Sequence, residues 1–182
     1  MMPHVAVNLI YVGWENFTDT DKAVVNAACW ATRQTYWQVG FDIFGFDAYS
    51  ISVADAQGYA YIDSDAEATW LTSDYTIPGR SVDVFLVKGY ATSTAGLSPV
   101  PGPCNKYLTY PSMTGSVVEL IGAGTNVAMP HEIGHYLGLH DDYSDPTNLM
   151  YYTVSSGGPS GLPVLTFAQG AQMAQHCFTS LP

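Results

Sequence analysis

"HEIGHYLGLHDDY", residues 131–143, decides the reading of this 182-residue chain. On a helix, His131 and His135 stand one turn apart and project from the same face, so both imidazoles can reach one ion. Glu132 lies ~100° further round the helix. That direction takes it out of the ion's ligand set and places it beside a bound water. A carboxylate there takes a proton from the water and later delivers it to a leaving amine.

A catalytic zinc needs a third protein ligand. If the helix continued past His135, residue 141 would lie on the wrong face, ~9 Å further along the axis. Gly138 offers the left-handed conformation that ends a helix, and three extended residues then span ~10 Å, enough to bring a side chain back. No glutamate follows Glu132, so the downstream candidates are His140, Asp141, Asp142, Asp145 and His176.

Upstream, "HVAVNLIYVG" (4–13) reads as a first strand, with Val5, Val7, Leu9 and Tyr11 on one side. Thr18 and Asp21 form a capping-box pattern that opens a long helix, with Val24, Ala28, Ala31 and Thr35 on one face and Gly40 as its stop. "FDIFGFDAYSISVAD" (41–55) is a second strand, bulged near Gly45, and "SVDVFLVKGY" (81–90) is a third. The segment 93–107 contains Pro99, Pro101 and Pro103 and is expected to be a surface loop. "GSVVELIG" (115–122) reads as a short edge strand ahead of a helix from about 126 to 137. "TFAQGAQMAQHCF" (166–178) is a last helix, capped by Thr166 and Gln169.

Five Lys plus Arg stand against sixteen Asp plus Glu, a net charge of -11. Such a surface repels phosphate backbones and anionic lipid, so nucleic acid and membranes are excluded as expected partners. No run of ~18 apolar residues is present, and the N-terminus lacks the basic region and cleavage site of a signal peptide. The acidic run "DSDAE" (63–67) is a candidate calcium loop beside the plainer reading of a solvated turn. Of three cysteines, Cys104 in the proline-rich segment and Cys177 on the last helix are expected to pair, leaving Cys29 as a buried thiol in the first helix.

"HEIGHYLGLHD" resembles the metzincin signature HExxHxxGxxH or HExxHxxGxxD, the Asp-ended form being that of snapalysin-type enzymes. "NLMYY" (148–152) resembles the family's methionine turn, with Met150 as the methionine. "SPVPGPCN" and "LTFAQGAQM" are similar to segments of bacterial secreted metzincins. The match is strongest over 131–152. Two departures stand out: the usual third histidine is Asp141, and no cysteine-switch motif is present.

This resemblance implies an α+β fold, with a twisted, mixed five-stranded sheet and two long helices above a cleft. A small loop-rich lower lobe carrying the C-terminal helix lies below. One catalytic domain is expected over 1–182, with its upper lobe about 1–138 and its lower lobe about 139–182. It implies a secreted, monomeric zinc endopeptidase acting on protein or peptide substrates, with His131, His135 and Asp141 as metal ligands and Glu132 as general base. His140 falls on a variable position. Tyr152, two residues after Met150, matches the tyrosine that approaches zinc in astacin-like and serralysin-like members. The side chains lining the substrate pocket are expected within 153–164. The competing reading is a non-enzymatic secreted binding domain in which zinc is a structural staple, a role in which Glu132 has no purpose.

Overall fold

The run His4–Val12 forms strand β1, and both of its faces are buried: Val5, Val7 and Leu9 enter one apolar cluster, Ile10 and Val12 another. A strand covered on both faces belongs inside a parallel sheet. β1 accordingly lies between β2 (Asp42–Ile51) and β4 (Val82–Val87) and runs parallel to both. These features come from a computed structural model that describes residues 2–91, 95–108, 111–153 and 161–181. β7 (Ser116–Glu119) extends the parallel series beyond β4, and β6 (Gly96–Leu97) closes it as an antiparallel edge. The order is β2-β1-β4-β7-β6, the mixed five-stranded sheet that was expected. β3 (Tyr61–Ile62) and β5 (Gly89–Tyr90) form a separate two-stranded ribbon.

Helix α1 (Asp19–Trp37) starts where the capping pattern places it. The Asp21 carboxylate accepts the Thr18 N–H at 2.8 Å, and the Thr18 hydroxyl oxygen accepts the Asp21 N–H at 3.2 Å. Its buried face, including Val25, Ala28 and Tyr36, joins Met129, Ile133 and Tyr136 of α3 (Thr125–Tyr136) against one side of the sheet. The Tyr36 hydroxyl donates to the Pro130 carbonyl at 2.8 Å and ties the two helices together. The bulge expected near Gly45 is present: Val5 pairs with Ile43 and Ala6 with Gly45, so Phe44 is skipped.

Four elements differ from the sequence reading. "DSDAE" is not a loop but the start of helix α2 (Asp65–Asp74), whose Ala68 and Leu71 cover the other face of the sheet. Its acidic groups cap that helix: the Glu67 carboxylate accepts the Asp63 N–H at 2.6 Å, so the segment lends no support to a calcium loop. β7 is internal, not an edge. The edge is β6, which lies in the proline-rich segment read as loop; with only Gly96 and Leu97 paired, it is too short to show a period of two. The last helix, α4 (Phe167–Met173), ends five residues before Phe178, and the chain beyond it continues in turns.

The proline-rich segment is tied down at two points. A disulfide joins Cys104 to Cys177, as expected, leaving Cys29 free and half-buried, with burial pushing its thiol up to about 11. Two residues past Cys104, the buried Lys106 ammonium lies 2.8 Å from the Asp83 carboxylate and donates to the Ile77 carbonyl at 3.0 Å. Asp83 also accepts from Asn8, Thr76 and the Ile77 N–H, so every group in this buried knot is partnered. Among the described residues, no helix is long and apolar enough to cross a membrane.

Candidate active site

Helix α3 carries His131 and His135 and stops as Gly138 allows. Gly138 takes φ +100°, and the Leu139 N–H reaches back to the Gly134 carbonyl at 2.9 Å, the bond of a glycine-terminated helix. The chain then reverses. The Asp142 N–H donates to the Met150 carbonyl at 2.6 Å, and the Tyr152 N–H donates to the Asp142 carbonyl at 3.0 Å. These two bonds pin the returning segment against 150–152 through both backbone groups of Asp142, the residue that follows Asp141.

The reversal brings the Asp141 carboxylate to the two imidazoles. Its Oδ1 lies 3.5 Å from His131 Nε2 and 3.4 Å from His135 Nε2. Each ring is oriented from behind: His131 Nδ1 lies 2.8 Å from the Leu149 carbonyl, and His135 Nδ1 lies 2.8 Å from the Leu139 carbonyl. A carbonyl only accepts, so Nδ1 carries the proton and each Nε2 presents a lone pair inward. Burial, then the neighbouring His135, hold the His131 pKa below its ordinary value and keep the ring neutral.

This donor set fits zinc. Ligands ~2.0–2.1 Å from a tetrahedral centre stand ~3.3–3.5 Å from one another, which is the separation between Asp141 and each histidine. Among the described residues, these three side chains are the ones that could hold a metal ion. Two neutral imidazoles and one carboxylate form the borderline nitrogen-and-oxygen set that zinc accepts, and three protein ligands leave a position open.

Beside the three donors, Glu132 is 7% exposed, and its Oε2 has no hydrogen-bond partner among the described residues. Burial raises its carboxyl to about 8; a Ser98 hydrogen bond opposes the rise, and the Asp141 carboxylate adds to it. A buried carboxylate oxygen left without a partner is costly and calls for an occupant of the site. Below the helix, the fully buried Met150 packs on Gly134.

Other candidates lie elsewhere. His140 is exposed and, with Asp142, Tyr143 and Gln172, lines a neighbouring surface cavity of about 440 Å³. Tyr152 is also exposed, its ring stacked on Tyr143 with centroids 5.0 Å apart. Its backbone bond to Asp142 places it next to the returning segment. Asp145 caps its own turn through Thr147, and His176 lies 3.1 Å from the Gly102 carbonyl, neither of them among the three donors. Of the segment 153–164 expected to line the substrate pocket, 154–160 lie outside the described residues.

Several neighbours of the site were not singled out from sequence: Gly96, Ser98 and Ser116, which touch Glu132, and the carbonyls of Leu139 and Leu149. Backbone carbonyls leave no mark in a sequence. The only signal for Gly96 and Ser98 was a "GLS" triplet in the proline-containing segment, and Ser116 opens the strand read from "GSVVELIG".

No family model and no curated protein matches this chain in sequence. The fold is similar to that in the crystal structure of metalloproteinase-II from Bacteroides fragilis, with a TM-score of 0.67 and 16% sequence identity. The likeness covers 95% of this chain and 52% of that one, so the chain spans about half the length of that protein.

Proposed function

We propose that this chain is a zinc-dependent endopeptidase of metzincin type that hydrolyses peptide bonds in extended protein substrates. The observation that carries the reading is the joint presence of three converging donors and, next to them, a buried carboxylate with an unpartnered oxygen. His131 and His135 would hold the zinc through Nε2, and Asp141 through Oδ1. Zinc bound there supplies Lewis acidity, polarising the scissile carbonyl and acidifying water.

The chain's own residues do the rest. Glu132, held protonatable near neutrality by burial, takes a proton from the attacking water on its carboxylate and returns it to the departing amine nitrogen. The Leu139 and Leu149 carbonyls keep both imidazoles in the tautomer that presents Nε2. Among the described residues β6 is the edge of the sheet, the kind of position at which an extended peptide adds as a further strand. Tyr152 has a lesser place in this reading, as a side chain at the rim. The disulfide and the scarcity of cations suit an oxidising, extracellular setting, with a monomer as the working unit.

The alternative, a binding domain with a structural zinc, is disfavoured by the donor count. Structural sites are closed by four protein ligands, whereas three gather here among the described residues, with an acid beside them. Digestion of casein by the purified protein, with chelator and then with zinc restored, tests the proposal. Activity lost to the chelator and regained with zinc is expected; no cleavage by zinc-loaded protein would leave the binding-domain reading standing.

A further inference from the structure

The edge strand β6 lies so close to Glu132 that only glycine fits at its first position. A Cβ placed on Gly96 would stand 2.7 Å from Cγ and 3.0 Å from Cδ of Glu132, and 2.6 Å from the Val117 carbonyl oxygen. Those separations are well inside van der Waals contact, so any side chain at 96 must push the Glu132 side chain or the strand aside. The same short segment holds Glu132 from its other end. The Ser98 and Ser116 hydroxyls lie 2.6 Å apart, and 2.8 Å and 3.3 Å from the Glu132 backbone carbonyl oxygen. Gly96 and Ser116 are buried, so neither contact yields to solvent.

We infer that Gly96, together with the Ser98–Ser116 hydroxyl pair, is a positioning element for the Glu132 carboxylate. The missing side chain at 96 opens the slot in which the carboxyl lies, and the two hydroxyls fix the backbone from which it projects. The strand at the rim of the sheet is thereby also the wall that aims the general base. A shift of about 1 Å in such a group costs a large factor in rate while leaving substrate binding nearly intact. This role rests on the reading of Glu132 as the base of a peptidase.

The test is a double-mutant cycle: Gly96→Ala made in the native chain and in Glu132→Ala, which removes both the Cγ and the Cδ that the new methyl would meet. In the native background, Gly96→Ala should lower kcat about tenfold or more, with KM changed less than about threefold. In the Glu132→Ala background, the same substitution should cost less than about threefold in the residual kcat. The melting temperature of the zinc-free proteins should show the same inequality, because the clash with Val117 is common to both backgrounds and cancels. Equal penalties in the two backgrounds, or a lowered melting temperature with unchanged kcat, would overturn the positioning role.

If Gly96→Ala does not fold in either background, Ser98→Ala and Ser98→Thr carry the test. Alanine should lower kcat at constant KM and threonine should restore it; equal kcat in the two would overturn the inference. A native chain without peptidase activity refutes the enzymatic reading and this role with it. Activity without coupling refutes the role alone, so the two failures are told apart.

Discussion

The sulfur of Met150 occupies the space that a side chain on Gly134 would need: a Cβ there would stand 2.7 Å from Sδ and 3.4 Å from Cε. Gly134 lies between the two candidate histidine ligands on α3, so the methionine packs on bare helix backbone at the level of the imidazoles. Leu149, one residue earlier, supplies the carbonyl that orients His131. The turn at 148–151 is thus a floor fitted to α3, and its contribution is packing and orientation.

Gly134→Ala should therefore overpack this contact and destabilise the fold by about 1–3 kcal/mol, whereas Met150→Leu, close to volume-conserving, should cost under ~1.5 kcal/mol. Urea denaturation reads both values. Zinc content should stay near one equivalent in Met150→Leu; complete loss of metal with the fold intact would show that the sulfur does more than pack.

Glu132→Gln should cut proteolysis by at least ~10²-fold, the scale of a missing general base, and keep its zinc. It should also stabilise the zinc-free protein near neutrality. The carboxyl titrates near 4.5 in an ordinary setting and at about 8 here, so the native state takes up a proton on folding. Its contribution is fully present below about 4.5 and is lost as pH rises through about 8. Melting curves of the zinc-free proteins should separate at pH 8, with the glutamine variant higher, and converge near pH 4.5. The same order at both pH values would contradict the linkage.

Asp141→Ala should lose zinc and activity together on mild dialysis, while His140→Ala keeps zinc near one equivalent. Among the described residues, the Asp141 carboxylate is the side chain that joins the two imidazoles in one donor group. The opposite pattern of metal content would mean that the loop delivers the histidine when zinc binds.

Lys106→Met should destabilise by about 3–5 kcal/mol, because it leaves the fully buried Asp83 without its counter-charge. The double variant Lys106→Met/Asp83→Asn should recover part of that loss. Chemical denaturation of the native chain, the two single variants Lys106→Met and Asp83→Asn, and the double variant decides the matter; additive losses would mean that the pair is not coupled.

Reduction of Cys104–Cys177 should lower stability by up to about 4 kcal/mol, the chain-entropy value for a bridge closing a long loop. The bridge spans 73 positions of sequence. Denaturation with and without reductant measures the difference, and identical midpoints would show that the bridge adds nothing to the loop's other anchors.

Much of the fold was legible where one principle acted alone. Thr18 and Asp21 announce α1 because a capping box is a local bargain between two neighbouring residues, and the alternation in 4–12 announces β1. α2 was hidden because its acidic N-terminus reads equally as a solvated turn, and its hydrophobic residues are few. β6 was hidden because two residues carry no period. It is a strand only because β7 lies alongside to receive its hydrogen bonds.

By itself the sequence determined the spacing that places His131 and His135 on one helical face, the glycine that lets the helix end, and the short list of possible third donors. These follow from helix geometry and from the conformations a residue without Cβ can adopt, and both are local. Only the tertiary structure decided that Asp141 is the side chain that returns to the imidazoles. That outcome depends on hydrogen bonds from Asp142 to Met150 and from Tyr152 to Asp142, partners eight to ten residues apart whose pairing no local rule dictates. It likewise decided that Glu132 sits buried against Gly96, its Oε2 without a partner among the described residues, because close contact between a helix and the edge of a sheet exists only once both have packed.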